Sequence, residues 1–241
     1  MVGVDLINDN LQPSLQELDS STQLRVLPDQ DVPQTWTASR RSGYQRLVKP
    51  VMDRVGAAVA LLVAAPFMAV IAVAVLRGLG RPIIFRQVRV GRNGKPFTVY
   101  KFCTMDADRR SEKVDIDGDD RRVTHKSESD PRLNPLGRIL RKWSLDELPQ
   151  LWNVLRGDMS LVGPRPELPS IVEGFAPWQH ERHAVKPGLT GFWQVYARGD
   201  GLLMHEHTSL DVAYVRRIGL LTDMKILLLT VPAVVGFRKG I

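Results

Sequence analysis

The sequence predicts a mostly helical α/β monotopic membrane protein: a re-entrant helix-break-helix over residues 55–76, followed by a small cytoplasmic part with short strands over 82–241. Three observations carry this. Val55 to Leu76 are 22 residues without a charge, and at about 1.5 Å per residue they reach about 33 Å, enough for a hydrocarbon core of about 30 Å. Cations flank the stretch on both sides, Arg40, Arg41, Arg46, Lys49 and Arg54 before it and Arg77, Arg81, Arg86, Arg89 and Arg92 after it. A single crossing would strand one cluster outside, against the positive-inside bias. Pro66 divides the stretch into halves of about 11 and 10 residues, each about half a bilayer deep. A buried core helix and a plain kinked span are the alternatives.

The elements follow in order. Residues 1–43 are polar, rich in Asp, Gln, Ser and Pro, and without sustained periodicity, so they read as a disordered tail. They lack a basic segment followed by an apolar one, so no signal peptide is expected. One domain, 44–241, follows. Ile83–Phe85 and Phe97–Tyr100, joined across Gly91-Arg-Asn-Gly94, read as a short hairpin that delivers Lys101. Asp115-Ile-Asp-Gly-Asp119 fails as a calcium loop, because Asp120 stands where glycine is required and Lys126 where the bidentate Glu belongs. Leu136–Lys142 reads as a helix carrying Arg138, Arg141 and Lys142. Val172–Ala184 reads as an amphipathic helix with Phe175 and Trp178, and Leu189–Tyr196 follows the Lys186-Pro187-Gly188 turn. Asp211–Arg217 and Thr222–Phe237 read as closing helices, the last too short to span and so lying at the interface or on the core.

Composition bounds the function. A chain of 241 residues with 44% hydrophobic content buries one ordinary core. Thirty-three Lys and Arg against 26 Asp and Glu give a formal charge of +7, which suits anionic partners: lipid headgroups, nucleotide diphosphates or nucleic acid. Cys103 is the single cysteine, which excludes an internal disulfide and a Cys-cluster zinc site. His205 and His207 have no third partner at ligand spacing and read as surface residues.

The chemistry concentrates in Ser144–Pro166. Asp146 and Glu147 are adjacent carboxylates at the start of an apolar helical pattern (Leu148, Leu151, Trp152, Leu155) that Gly157 stops. Backbone N–H groups at a helix start favour an ionised Asp146, able to act as a nucleophile or as a Mg2+ ligand. Arg165, bracketed by Pro164 and Pro166, presents a planar fork suited to phosphate. Carboxylate, metal and arginine together point to phosphoryl transfer. The competing reading is a capping box, Ser144 with Glu147, that satisfies backbone donors and does no chemistry. On local pattern alone that commoner reading stands beside the catalytic one. Gln194 and Arg198 are candidate nucleotide or sugar contacts, and simple loop packing accounts for them equally well.

SLDELPQLWNVLRGDMSLVGPRP at 144–166, with KPGLTGFWQV at 186–195 and YKFCTM at 100–105, resembles the bacterial sugar transferase family, the monotopic polyprenyl-phosphate phosphoglycosyl transferases, over about residues 45–240. The resemblance implies a membrane enzyme on the cytoplasmic face of the bacterial inner membrane. It would move a phosphosugar from a UDP-sugar to undecaprenyl phosphate, with Asp146 as covalent nucleophile, Glu147 as its dyad partner and Mg2+ as cofactor. It places Lys101 and Arg141 near substrate phosphate and supports the re-entrant hairpin, although Ala65 replaces the serine that often precedes the breaking proline. Cys103 stands where relatives carry Arg, which removes one expected cation. Glucose or galactose phosphate transfer, as in exopolysaccharide initiation, is the implied reaction, with an N-acetylated amino sugar left open, and membrane lipid and a homodimer remain open as partners. The alternative of another class is a non-catalytic basic membrane scaffold that binds anionic lipid. Such a scaffold has no use for paired carboxylates among its cations. No nucleic-acid partner is expected, since the cations cluster around a membrane segment instead of forming a stripe with stacking aromatics.

Overall fold

A computed structural model describes residues 42–105, 132–196 and 208–235, all within one compact unit. The tail up to residue 41, the acidic loop 115–119, Arg198, His205 and His207 lie outside the described residues.

Helix α1, Lys49–Leu79, follows a π-helical turn over Tyr44–Val48, takes Pro50 in its first turn and stops at Gly80, whose φ of 73° ends it. It is longer than the predicted 55–76, and the expected break at Pro66 is not an interruption: helical backbone continues through it. A proline inside a helix loses one i→i−4 bond and costs about 3 kcal/mol, which the long Ala-, Leu- and Val-rich flanks absorb. Two faces separate along α1. Lys49, Asp53, Ala57, Val75 and Leu79 are buried, while Val51, Val55, Val59, Leu62, Val63, Phe67, Val70, Val73 and Leu76 are exposed. An uncovered apolar surface of that extent does not suit water. Among the described residues this is the one helix long and apolar enough to cross a membrane.

Strands β1 (Ile84–Val90) and β2 (Pro96–Phe102) form an antiparallel hairpin, longer on both sides than the short apolar runs predicted because the arginines at 86 and 89 belong to the strand. Asn93 and Gly94 take left-handed φ values of 57° and 72° in the turn, as residues tolerant of that region do. Helix α2 (Pro135–Lys142) begins at Asn134, whose side chain accepts from the Gly137 amide at 2.8 Å. Gly137 permits close packing: a Cβ there would lie 2.0 Å from the Thr104 carbonyl oxygen. A 3₁₀ turn over Leu145–Glu147 leads to α3 (Gln150–Arg156), which Gly157 ends at φ 93°.

Strands β3 (Ser160–Val162) and β4 (Gly188–Thr190) pair in parallel. Between them the predicted helix over 172–184 is instead two pieces, α4 (Pro169–Val172) and a 3₁₀ segment Pro177–Ala184, because Gly174 and Pro177 punctuate the run. Helices α5 (Phe192–Tyr196), α6 (Thr208–Arg216) and α7 (Leu220–Val235) complete the fold. Leu221 and Leu228 of α7 are strongly exposed while Ile226 is fully buried, so this helix covers the core with one face only.

Both halves of α1 pack on this domain. Ala57 belongs to a cluster with Val99, Val154 and Met159, and Val75 and Leu79 to another with Phe102, Cys103 and Leu140. Polar contacts fasten the first half. Lys49 Nζ donates to Asp223 at 2.6 Å, as do the hydroxyls of Tyr44 and Tyr214 at 2.6 and 2.8 Å. Asp53 accepts from the Ser160 hydroxyl at 2.7 Å and the Leu161 amide at 3.1 Å. Each charged member thus has partners, the condition for burying it.

Candidate active site

Asp146 and Glu147 occupy the 3₁₀ turn one turn ahead of α3, where Pro149 is the N-cap residue, and both are buried. The capping-box reading does not hold. Ser144 takes a left-handed φ of 54° and makes no side-chain cap, and the Glu147 carboxylate is turned away to basic side chains. A non-glycine residue in that region carries a local cost of about 1–2 kcal/mol, here stored directly before the carboxylate pair.

Glu147 is a hub. Its Oε1 lies 2.6 Å from Arg165 Nη2 and 3.0 Å from Lys101 Nζ, and its Oε2 accepts from Arg165 Nη1 at 3.2 Å. The Arg165 fork is therefore held two-handed, as the planarity of guanidinium and carboxylate favours. Burial opposes charge on Arg165, but Glu147 more than offsets it and holds the guanidinium above its usual value. The same guanidinium lies 5.7 Å from the Trp193 ring centroid, a second restraint on its plane.

Asp146 differs from its neighbour. Its Oδ1 is buried and has no hydrogen-bond partner among the described residues. A buried carboxylate oxygen left without a donor is costly, and it persists where a ligand or reaction requires it. Two adjacent carboxylates of the same chemistry therefore stand in different states: Glu147 is saturated by cations, and Asp146 is left with a bare oxygen in the field of Arg165.

The remaining predicted residues fall as follows. Lys101 reaches Glu147 from the end of β2, as the hairpin placement requires. Arg141, on the last turn of α2, donates from Nε to the Thr104 hydroxyl at 2.9 Å. Gln194 on α5 is buried, and among the described residues neither its amide atoms nor the Trp193 indole nitrogen beside it has a partner. A loop-packing amide would satisfy itself on backbone, so an open donor and acceptor on Gln194 fit a polar ligand better. Cys103, which stands where relatives carry Arg, packs in the apolar cluster under α1.

Sequence reasoning missed several residues that build the site. Asn153, with no exposed surface, accepts from the Tyr100 amide at 3.2 Å and donates to the Thr98 carbonyl at 2.7 Å. One side chain thereby docks α3 on the open edge of β2 and brings Lys101 opposite Glu147. The signal was available: an Asn inside an apolar helical run is out of place unless it bonds backbone. Glu167, Arg89, Arg182 and Asp211 form a further buried charged group behind Arg165, and nothing in their spacing along the chain shows it.

Comparison with known proteins adds a family match and three relatives. The model for the bacterial sugar transferase family matches residues 44–237. EpsL of Bacillus subtilis, described as an uncharacterized sugar transferase, is 44% identical over 179 residues, covering 74% of this chain and 83% of that protein. The galactosyl transferase CpsE of Streptococcus agalactiae is 41% identical over 194 residues, 79% of this chain and 43% of the other. The UDP-glucose:undecaprenyl-phosphate glucose-1-phosphate transferase of Escherichia coli is 39% identical over 201 residues, 79% of this chain and 40% of the other. The chain thus spans about two fifths of the last two proteins and most of the first.

Proposed function

The chain belongs to the bacterial sugar transferase family, and from that premise we propose that it transfers a sugar phosphate from a UDP-sugar to undecaprenyl phosphate through a covalent intermediate on Asp146. The observation that carries this is the division of labour within the dyad, one carboxylate bound by two cations and its neighbour left with a bare buried oxygen. An Asp146 oxygen attacks the β-phosphorus of the UDP-sugar. The bond from that phosphorus to the bridging oxygen breaks, UMP leaves with that oxygen, and the phosphosugar remains on the carboxylate. A phosphate oxygen of the polyprenyl carrier then attacks the same phosphorus. The aspartyl bond breaks, restoring the carboxylate and giving the polyprenyl-diphosphosugar.

Arg165 and Lys101 lie beside the attacked group and hold phosphoryl oxygens as negative charge redistributes, while Glu147 keeps both cations aimed. Arg141 extends the cationic wall, and Gln194 offers its open amide to the nucleotide or sugar. A role for Arg198 in the same contact follows from the sequence alone. The site also fits Mg2+, since a bare carboxylate oxygen next to a diphosphate is the oxygen donor set this ion takes. Among the described residues no group of three ligating side chains exists, so Asp146 and substrate oxygens would hold it. When bound it would offset diphosphate charge.

Re-entrant seating of α1 from the cytoplasmic face belongs to the same proposal, and the packing of both its halves supports it. Val99 and Phe102 are three residues apart on one strand, about 10 Å, yet their clusters take in Ala57 and Val75, which a straight helix would separate by about 27 Å. A helix bent at Pro66, with its helical backbone continuous, meets both. Its exposed tip, Leu62 to Phe67, then lies in lipid, and the site stays at headgroup depth where a carrier phosphate resides.

The names of the relatives favour glucose or galactose as the sugar. UMP release measured across UDP-glucose, UDP-galactose and their N-acetylated amino counterparts, with undecaprenyl phosphate as acceptor, tests the reaction and identifies the sugar. Trapping of radiolabelled sugar phosphate on the protein, lost in Asp146→Asn, tests the intermediate. Absence of turnover with every UDP-sugar tested would leave the scaffold reading.

A further inference from the structure

Behind the Pro164-Arg165-Pro166 segment lies a charged group that reaches the proposed reacting centre only through the backbone of Arg165. Arg182, on the 3₁₀ segment Pro177–Ala184, is 2% exposed. Its Nη2 donates to the backbone carbonyl of Arg165 and to Asp211 Oδ2, both at 2.5 Å, and its Nη1 lies 3.7 Å from Glu167. Its guanidinium carbon sits 5.5 Å from the Phe175 ring centroid. From the other side Arg89 Nη1 donates to the Pro166 carbonyl at 3.3 Å and lies 3.9 Å from Glu167, while the Val90 amide donates to the Glu167 carbonyl at 2.9 Å.

Burying this many charges is unfavourable compared with an apolar core of the same shape, and stability alone gives no reason to keep them. Their contacts have one thing in common. The two arginines take hold of consecutive backbone carbonyls, Arg182 that of Arg165 and Arg89 that of Pro166, and both face the Glu167 carboxylate. Prolines on both sides of Arg165 already restrict its backbone, and a fixed carbonyl removes the remaining freedom to tilt the peptide. The side chain of Arg165 is fixed at its far end by Glu147. A phosphate arriving between Arg165 and Asp146 competes with Glu147 for that fork, so the backbone anchor is what keeps the fork aimed during the exchange.

We propose that Arg182, seated by Asp211, is a positioning residue that acts through Arg165: by gripping the Arg165 carbonyl it holds the guanidinium at the phosphate-binding position. This rests on the reading of Arg165 as a phosphate ligand. The closing experiment separates the two claims.

The experiment is a double-mutant cycle on the full chain in detergent or nanodiscs, with initial rates of UMP release over a range of UDP-sugar concentrations. Arg182→Lys keeps a cation beside Asp211 and Glu167, but it ends about one bond short of the Nη2 that holds both Asp211 and the Arg165 carbonyl, and it drops the Nη1 that faces Glu167. It is expected to lower kcat/KM about tenfold to a hundredfold, the scale set by a misplacement of about 1 Å, with the thermal melt reported alongside. In an Arg165→Ala background, already impaired, the same substitution is expected to cost less than about twofold, because the group it positions is gone. Equal losses in both backgrounds would overturn the positioning role while leaving Arg165 a phosphate ligand. Full activity in Arg165→Ala would overturn the ligand reading and this one with it. Should Arg182→Lys fail to fold, Asp211→Asn, of the same shape, replaces it in the cycle with the same two expectations.

Discussion

Replacing each dyad carboxylate by its amide separates chemistry from architecture. Glu147→Gln removes the charge facing Arg165 and Lys101 and sets an amide NH₂ against one of them. Breaking a buried ion pair on one side costs about 3–5 kcal/mol. The side chains here are 8% exposed on Glu147 and 15–18% on its partners, so the lower end applies, about 3 kcal/mol. For a folded part of this size that is a fall in Tm of roughly 6–12 °C. Asp146→Asn loses no hydrogen bond from Oδ1, since none is made among the described residues, and relieves a buried charge, so its stability should stay within about 1 kcal/mol of the parent. Its turnover should fall more than about a thousandfold, at least ~4 kcal/mol of barrier, because the covalent route is closed. Thermal unfolding and UMP release on both purified variants read the two quantities. An Asp146→Asn protein that works within tenfold of the parent, or that melts lower than Glu147→Gln, would refute the assignment of roles.

The other expectations are brief. Arg165→Lys keeps the charge but loses one of two bonds to Glu147 and the matching fork for phosphate, so kcat/KM for the UDP-sugar should drop at least about tenfold with vesicle association unchanged; equal activity would mean that a point charge suffices. Burial pushes Asp211 up to about 6, against the opposing pull of Arg182. A carboxyl whose folded value is raised contributes stability that is present below its unfolded value and lost as pH rises through the folded one. Unfolding free energies from denaturant titrations should therefore decline between pH 4 and about 6, by up to about 3 kcal/mol, relative to an Asp211→Asn protein, and a parallel pH course in the two would contradict the burial argument. For topology, Arg46→Cys and Lys95→Cys, both exposed positions, in a Cys103→Ala background should be modified by an impermeant thiol reagent only once the cytoplasmic face is opened; labelling of position 46 alone in intact cells would make α1 a crossing helix. Alanine is the right background because Cys103 is buried among apolar side chains.

Much of the fold was legible because its signals are local. The apolar stretch, the hairpin turn at Arg92–Gly94, the Gly157 helix end and the dyad itself each sit in a window of a few residues. The illegible parts depend on partners far apart in the chain. Asn153 pairs with β2 across 53 and 55 positions, Arg165 with Glu147 across 18, and Arg182 with Asp211 across 29. No periodicity encodes such pairs. The capping box failed for a related reason: the S-x-x-E spacing satisfies a local rule, but Lys101 and Arg165, brought in by the tertiary fold, offer Glu147 two charges where the cap offers one backbone N–H. Val172–Ala184 failed in the opposite direction, since Gly174 and Pro177 were visible and the apolar period was allowed to outweigh them.

The charge argument for re-entry depends on which flanking cations face the aqueous side, and the structure changes the count without changing its balance. Lys49 is buried on Asp223 and Asp53, so it is neutralised where it stands and exerts little bias on orientation. Arg89 is likewise turned inward, onto Gln87, Pro166 and Glu167, and burial lowers it to about 10. Removing both leaves exposed Arg46 and Arg54 before the apolar stretch and Arg77, Arg81 and Arg86 after it. Cations still stand on both sides, so a single crossing would still carry one group to the outer face against the usual bias. The buried Lys49 adds a separate constraint. Its ties to α7 and, through Asp53, to β3 hold the entry of α1 to the same domain that packs against its exit at Val75 and Leu79. A helix tethered at entry and exit to one small domain favours both ends on one side of a bilayer about 30 Å thick, which is what the re-entry proposed above requires.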